Sequence, residues 1–384
     1  MPERMPDQES TGYDVVDDAI ERLEWADAKE EPDPTPVSRW RAFTRRAALT
    51  GGAAGVAAAV LEACGGGGTS STSAAGGGGA AAIFKPSKSY KFTFVNHVTT
   101  NPFFVPTKYG AADACQLLGC SYQWTGSQTS NVSEMVNAFN SAVAAGVDGI
   151  AISLVDLHAF NAPVQAALSK GIPVLAYNAD AAGNPRLAYI GQDLFVSGQE
   201  MGKRILSLVP SGDVALFIAT PGALNIQPRI DGAKQSIGSK LTVATIATGA
   251  SVPGELSTIQ SYAQSHSSVK GMFAVDAGST QSVAQTIQKQ GLKDKVKGGG
   301  YDLLKPTEEL LQQGFIQFTI DQQPYLQGFL PVLELFMYQA SQTLSGIADV
   351  NTGLKFLDSK TVVPYNSTKS RYEGSSTAAG VSKA

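Results

Sequence analysis

Ala188-Tyr189-Ile190-Gly191-Gln192-Asp193 lies midway along this chain of 384 residues and is predicted to be a strand that passes between two similar halves. On both sides of it, short β-branched or aromatic runs alternate with stretches of helical period. This alternation is typical of βαβ units and of parallel sheets. The sequence therefore predicts an α/β protein with two doubly wound parallel-sheet lobes joined by a multi-strand hinge.

The predicted elements form two sets with the same rhythm. The first set has strands at Phe92–Asn96, Ser121–Thr125, Gly149–Ser153 and Val174–Tyr177, with helices over 104–118, 131–145 and 159–170. The second set has strands at Val214–Ala219, Thr242–Ala247, Met272–Val275, Lys297–Tyr301 and Ile316–Ile320, with helices over 195–208, 227–238, 255–266, 279–291 and 304–313. Apolar residues recur along one stripe of the helices, so we expect each to pack on its sheet.

Two further crossings between the halves are predicted near the C-terminus. A long helix from Tyr325 to Leu344 is expected to return to the first lobe, and short strand-like pieces between Asn351 and Val363 can make a third crossing. The predicted boundaries are 90–191 plus 323–352 for the N-terminal lobe, 192–322 plus 353–366 for the C-terminal lobe, and 367–384 for a frayed tail.

The N-terminal segment is predicted to be an export address. Residues 1–38 form an acidic leader whose composition predicts disorder. Residues 39–63 resemble a twin-arginine-type lipoprotein signal, because Arg45-Arg46 precedes a modest apolar run that ends at the lipobox-like Leu61-Glu62-Ala63-Cys64. The Gly/Ser-rich composition of 64–89 predicts a flexible tether. A transmembrane anchor over 47–63 is the alternative, but a spanning helix needs roughly 20 strongly apolar residues.

Acylation of Cys64 would anchor the protein by lipid to the outer face of the cell membrane, at the cell surface or in the periplasm. The formal net charge of −4 arises from the leader, and the chain from Cys64 onward is close to neutral. Because it lacks a basic face, nucleic acid is not an expected partner.

Cysteine and histidine usage limits the chemistry of the folded part. Cys115 and Cys120 remain as a pair, for which a disulfide and two buried free thiols are both left open. His97, His158 and His266 are far apart in sequence, and no Cys/His cluster has metal spacing. We therefore predict neither a metal nor a cofactor.

Polar side chains collect at the carboxyl ends of the predicted strands, where a doubly wound sheet binds its ligand. Carboxylates and amides can match hydroxyl groups, an arginine can donate to sugar oxygens, and aromatic faces can cover the C–H surface of a sugar ring. The cluster predicts a cleft for a sugar or polyol. The predicted ligand-binding residues are Asn101, Phe103, Phe104, Asn178, Asp180, Asn225, Arg229, Asp276, Asp302 and Gln322.

Each of these residues also has a structural interpretation. The three aspartates can cap helices, Asn101 can be a turn residue before Pro102, and Arg229 can pair with Asp231 on the surface. One of the two phenylalanines can belong to the core, as can Trp124. Their common location, more than any single residue, favours the cleft.

Several segments together resemble the type I periplasmic sugar-binding proteins, close to the ribose-binding branch. They are Thr100-Asn101-Pro102-Phe103-Phe104, Pro221-Gly222 with Asn225 and Arg229-Ile230-Asp231-Gly232, Gly300-Tyr301-Asp302, and Thr319-Ile320-Asp321-Gln322-Gln323-Pro324. The resemblance covers about residues 90–365 and implies sugar contacts for Asn101, Phe103, Phe104, Arg229, Asp276, Asp302 and Gln322. Ribose-binding relatives often have Asp-Arg where this chain has Asn178-Ala179, so one arginine is missing and Asp180 is a candidate substitute.

The resemblance implies a monomeric solute receptor of an ABC importer, which closes on its ligand and presents it to permease and ATPase subunits. A ligand sensor for a membrane kinase or chemoreceptor would use the same cleft and is an alternative. An α/β hydrolase is a weaker alternative, because neither a Gly-x-Ser-x-Gly elbow nor a His-Glu-x-x-His motif is found, and we expect no enzymatic activity. Pentoses, hexoses, inositol or another polyol, and a signalling furanone all fit the predicted cleft.

Overall fold

The computed structural model describes residues 88–368 of the chain, with side chains as far as residue 365. The predicted leader, the signal, Cys64 and the tether up to residue 87 lie outside the described residues, as does the tail beyond residue 368. No helix in the described part is both long enough and apolar enough to cross a membrane.

Two parallel-dominated sheets with flanking helices confirm the predicted α/β class. The strands are β1 (Lys91–Asn96), β2 (Ser121–Gly126), β3 (Gly149–Ile152), β4 (Val174–Tyr177), β5 (Ala188–Gly191), β6 (Asp213–Ile218), β7 (Thr242–Ala247), β8 (Gly271–Ala274), β9 (Lys297–Tyr301), β10 (Phe318–Asp321), β11 (Val350–Asn351) and β12 (Lys355–Leu357). The helices are α1 (Val105–Leu118), α2 (Val132–Ala144), α3 (Asn161–Ser169), α4 (Leu194–Leu208), α5 (Gln227–Ile237), α6 (Val252–Ser265), α7 (Ala277–Lys289), α8 (Lys305–Gln312), α9 (Leu326–Ser341) and α10 (Val363–Thr368).

The two sheets have the same topology. The first has the order β11-β5-β4-β3-β1-β2, and the second has the order β12-β10-β9-β8-β6-β7. Neighbouring strands are parallel except for β12, which runs antiparallel to β10. We call each sheet with its helices a lobe. In each lobe the strand order reverses beside the first strand, β1 or β6, so the crevice for a ligand lies at the carboxyl ends of the strands.

Three segments connect the lobes and form the hinge. β5 belongs to the first sheet, whereas the next residues lead into α4, which packs against α5 in the second lobe. After β10 the chain returns through α9, which packs on α1. Finally, β11 pairs with β5 in the first sheet and β12 pairs with β10 in the second.

Several predicted element bounds were wrong by two or three residues. Helix α6 begins at Val252 and not at 255, because Pro253 is compatible with a first helical turn, where its missing N–H is not needed. Strand β10 begins at Phe318 and not at Ile316. Helix α9 ends at Ser341, because Gln342 adopts a left-handed backbone with φ 54°.

Helices α4 and α5 approach each other closely at glycines. A Cβ atom added at Gly198 would lie 2.3 Å from the carbonyl oxygen of Arg229, and one added at Gly232 would lie 2.2 Å from that of Phe195. Only glycine, which has no side chain, allows the two helices to lie this close together. The close contact between α4 and α5 fixes the backbone position of Arg229 relative to Gly198 in α4.

Candidate functional site

The loop after β1 places an aromatic pair between the lobes. The Asn101 side chain accepts a hydrogen bond from the Phe103 amide at 3.0 Å and caps a 3₁₀ turn over Pro102–Phe104, so Asn101 has the turn role that the sequence left open. The buried rings of Phe103 and Phe104 lie edge to face, with centroids 4.7 Å apart. Their apolar cluster also contains Ala277 and Leu304 of the second lobe.

Arg229 lies in the first turn of α5 and points into the protein, with an exposed fraction of 2%. One terminal nitrogen donates to the Val275 carbonyl at 2.9 Å and the other donates to Gln192 Oε1 at 3.3 Å. The guanidinium carbon lies 4.0 Å from the centroid of the Tyr301 ring. A surface pair with Asp231 is therefore not the role of this arginine.

Asp276 combines the capping role with a position at the cleft. One carboxylate oxygen accepts from the Ser279 amide at 2.9 Å and so caps α7, and the other accepts from the Ala219 amide at 3.0 Å. Burial raises the pKa of Asp276, whereas these hydrogen bonds and the charge of Arg229 oppose the shift. The carboxylate is therefore held in one orientation beside a buried cation.

Asp302 follows β9 and does not cap a helix. Its backbone is left-handed, with φ 72°, and its Oδ1 accepts from Gln322 Nε2 at 2.7 Å. Burial raises the pKa of Asp302 to about 7, and Arg229 again opposes the shift. The two aspartates thus depend on the same guanidinium for charge balance.

Gln327 connects two of the predicted ligand-binding residues at the hinge. Its Nε2 donates to Gln322 Oε1 at 3.1 Å, and its Oε1 accepts from Asn178 Nδ2 at 3.2 Å. Thr352 Oγ1 donates to the Gln322 carbonyl at 2.7 Å. These residues come from segments at or beside the hinge, so the hinge itself positions Asn178 and Gln322 at the cleft.

His97 joins the two lobes by hydrogen bonds. Burial lowers its pKa to about 4, so the ring is neutral near pH 7. Its Nε2 accepts from Asn225 Nδ2 at 3.1 Å, and its Nδ1 donates to Ser153 Oγ at 3.1 Å. A second link between the lobes runs from the Leu224 amide to the Val155 carbonyl at 2.9 Å. The lobes are therefore in contact across the cleft.

The structure does not bring Asp180 into this group. Its carboxylate pairs with Arg186, whose Nε donates at 2.8 Å and whose Nη2 makes a second, shorter contact. Arg186 also contacts Asp349 at 3.0 Å. Asp180 lines a cavity of about 390 Å³ together with Gln192 and Asp349. The substitution of Asp180 for the missing arginine stays a prediction, and in the structure its carboxylate is paired with Arg186.

Three of the buried polar atoms without a protein partner belong to side chains of the second lobe and are candidates for ligand contacts. Within the described residues, Arg229 Nε, Asn225 Oδ1 and Glu255 Oε2 are buried and make no hydrogen bond. Leaving such an atom unpaired costs about 1–3 kcal/mol, so buried polar groups are almost always bonded. One donor, one acceptor and one carboxyl oxygen in the same lobe are a suitable set for a hydroxylated molecule.

A cavity of about 360 Å³ borders the same site. Phe103 and Asp302 line it, and Asp321, Lys355 and Tyr365 form part of its far wall. Since Phe103 and Asp302 come from opposite lobes, this cavity opens at the interface between the lobes.

The sequence reasoning missed Gln192, Gln327 and Glu255. The first two hold Arg229 and Gln322 in place, and no local pattern distinguishes them from other hinge residues. Glu255 lies inside the first turn of α6 and further from the end of β7 than Asp276 lies from the end of β8, so the rule based on strand ends does not select it.

Two other predictions concern residues near the first sheet. Trp124 is partly buried and packs against the core cluster, stacked on Phe94 at 5.8 Å between centroids, which agrees with a place in the core. Cys115 and Cys120 are both free thiols. Hydrogen bonding to Cys120, together with burial, raises the pKa of the Cys115 thiol. In the described part of the chain, no group of three or more His, Cys, Asp or Glu side chains could hold a metal ion.

Comparison with known proteins identifies the family of this chain. The sequence profile of the periplasmic binding protein domain matches residues 92–342. The xylose/arabinose-binding protein XylF of Sulfolobus acidocaldarius is 53% identical over 306 residues, which cover 76% of each chain.

Solved structures share the fold. A solute-binding protein of an ABC transporter from Burkholderia graminis, solved in complex with D-arabinose, superposes with a TM-score of 0.69 at 27% identity, covering 73% of this chain and 99% of that one. The XylFII–LytSN complex contains a chain with a TM-score of 0.67 at 23% identity, covering 71% of this chain and 99% of that one.

Proposed function

This chain belongs to the type I periplasmic sugar-binding proteins, and from that premise we propose that it is the solute-binding lipoprotein of an ABC importer for a pentose. It captures the sugar between its two lobes and delivers it to permease and ATPase subunits in the membrane. The observation that carries the proposal is the convergence of Arg229, Asp276 and Asp302 on a cleft whose other wall holds Phe103 and Phe104.

The residues of the cleft match the chemistry of a sugar. Asp276 and Asp302 accept hydrogen bonds from hydroxyl groups, and Arg229 Nε donates to a hydroxyl or ring oxygen. The aromatic pair covers the C–H face of the ring. A pentose is the favoured class because the relative with 53% identity is a xylose/arabinose-binding protein.

A screen of thermal unfolding against D-xylose, L-arabinose, D-arabinose, D-ribose, D-glucose and myo-inositol tests the ligand class. A sugar at 100 times its dissociation constant stabilises the folded protein by about 2.7 kcal/mol. We expect xylose or an arabinose to raise the melting temperature and to remain chemically unchanged after incubation. A protein that no sugar stabilises, or that converts the sugar, would contradict the proposal.

The lipid anchor is a separate part of the proposal, and it rests on the lipobox-like sequence around Cys64. In cells, Cys64→Ala is expected to move the protein from the membrane fraction to the soluble exported fraction, because the acyl chain has no attachment site. Cys115→Ala, a cysteine in the folded lobe, is the matched control and should remain with membranes. If both variants stay in the membrane fraction, anchoring does not depend on Cys64.

A sensor is the second candidate function, and the likeness to a chain of the XylFII–LytSN complex is the observation that favours it. At 23% identity this likeness concerns the fold, so importer function takes precedence. Uptake of labelled pentose by cells lacking this protein separates the two functions. Loss of uptake supports the importer, whereas normal uptake with a lost transcriptional response supports the sensor.

A further inference from the structure

Glu255 is a buried carboxyl group that the proposed site has not yet used. It lies in the first turn of α6, the helix that follows β7, and is 2% exposed. Its Oε2 is fully buried and has no hydrogen-bond partner within the described residues. A buried glutamate without a pairing cation is rare, because an unpaired buried charge is strongly disfavoured.

The carboxyl group of Glu255 lies against the first turn of α7. A Cβ atom added at Gly278 would be 2.0 Å from Glu255 Oε2 and 2.9 Å from its Oε1, so the space for this carboxyl exists because residue 278 is a glycine. Asp276 and Ala277 begin the same turn, and Ala277 belongs to the interlobe cluster with Phe103. Glu255 is therefore at the cleft end of the second lobe.

The protonation state of Glu255 follows from its surroundings. Burial, reinforced by the neighbouring charge of Asp276, raises the pKa of Glu255 to about 9. Asp276 is the titratable group acting on it, and Arg229 acts in turn on Asp276. The hydroxyl of Ser279, in the same turn of α7, bonds to that of Thr248 at 2.8 Å. At neutral pH the group is thus a neutral acid that can both donate and accept.

We propose that Glu255 is a specificity-determining residue that binds a sugar hydroxyl beside Asp276 through its buried, unpartnered carboxyl group. This inference rests on the proposed function. Asp276 and Asp302 supply acceptors, so a neutral carboxyl adds a donor where the two aspartates have none. A ligand must then present an oxygen acceptor at that position, and a sugar that lacks one leaves the buried group unpaired.

The test measures sugar affinity by calorimetry at pH 8 and pH 10, with D-xylose and L-arabinose as probes. Wild-type affinity is expected to fall about tenfold between these values, since Glu255 ionises near pH 9 and loses its donor. Glu255→Gln keeps a neutral donor and acceptor, so its affinity should change much less over the same range. Glu255→Ala should bind roughly 10- to 100-fold more weakly at pH 8.

Two further variants separate binding from folding. Gly278→Ala displaces the carboxyl without removing it and should weaken binding as Glu255→Ala does. Glu334→Gln is the matched control, because Glu334 is a buried glutamate in α9 whose Oε2 accepts from the Ala348 amide at 3.4 Å. We expect Glu334→Gln to bind sugar with wild-type affinity at pH 8 and to lose as much affinity as the wild type at pH 10.

The possible results are distinguishable. Wild-type affinity in Glu255→Ala, or a loss of affinity between pH 8 and pH 10 in Glu255→Gln as large as that of the wild type, overturns the role of Glu255 and leaves the proposed function standing. Absence of binding by the wild-type protein to every sugar overturns the proposed function and this inference with it. If Glu255→Ala does not fold, the pH profile of Glu255→Gln decides the question.

Discussion

Arg229→Lys is expected to reduce sugar affinity by at least about 100-fold while the protein remains folded. The guanidinium donates to Val275 and Gln192 through its terminal nitrogens, and its Nε is buried and makes no hydrogen bond within the described residues. Lysine keeps a positive charge near Asp276 and Asp302 but cannot form this planar fork. Losing two or more charge-assisted hydrogen bonds, at about 1.5–3 kcal/mol each, accounts for the expected loss.

Calorimetric titration with the sugar identified by the thermal screen measures this effect, and circular dichroism checks the fold. Arg186→Lys is the matched control, because Arg186 pairs with Asp180 and Asp349 outside the cleft and its replacement should leave affinity unchanged. If Arg229→Lys binds as tightly as the wild type, Arg229 is a structural residue and the cleft lies elsewhere.

Arg229→Ala would change protein stability as well as sugar binding, unlike Arg229→Lys. The charge of Arg229 opposes the burial of both Asp276 and Asp302, so alanine would leave two buried carboxyls without their cation. Removing one partner of a buried charge cluster destabilises by about 3–5 kcal/mol. A loss of binding in Arg229→Ala would therefore include a loss of stability.

The fold could be predicted because the signals for its strands and helices lie in short stretches of the sequence. Strands of a buried parallel sheet are short apolar runs, and their helices repeat an apolar stripe, so both sets of elements were found within a few residues of their observed bounds. The bounds that failed depend on single residues. Pro253 can begin a helix as readily as precede one, and the left-handed backbone of Gln342 is not evident from its side chain.

The candidate site was predictable only where the topology determines it. The rule that ligands bind beyond the carboxyl ends of strands selected Arg229, Asp276 and Asp302. In the structure the charge of Arg229 acts on the pKa values of both aspartates. It cannot tell which of two polar residues at the same edge already has a partner. Asp180 is paired with Arg186, six residues further along the chain, and that pairing exists only in the folded structure.

The misplaced start of α6 explains why Glu255 was missed. A helix beginning at 255 would put this residue at an exposed N-terminus, where a glutamate is favoured by the helix dipole and needs no further explanation. In the structure α6 begins at Val252, and the Glu255 carboxyl lies against the first turn of α7. The burial of Glu255 therefore depends on a helix start that the sequence analysis placed too late.

Gly198→Ala is expected to weaken sugar binding by more than about tenfold although Gly198 is on α4 and lines no part of the cleft. Its added Cβ would lie 2.3 Å from the carbonyl oxygen and 2.7 Å from the Cα of Arg229. Both are backbone atoms, so relief requires α5 to move as a whole. Overpacking of this kind costs about 1–3 kcal/mol of folding stability, and Gly232 faces α4 too closely to let the helices slide.

The reduced affinity follows from the same displacement. Arg229 is a first-turn residue of α5, so moving α5 moves the guanidinium away from Val275 and from the ligand, and a misplacement of about 1 Å can cost 100-fold in a positioned interaction. Gly254→Ala is the matched control, since Gly254 is helical and its added Cβ meets nothing nearer than 3.8 Å. It should keep affinity and gain up to about 1 kcal/mol of stability. Gly198→Ala with a lowered melting temperature but wild-type affinity would show that α5 can move without carrying Arg229 out of the site.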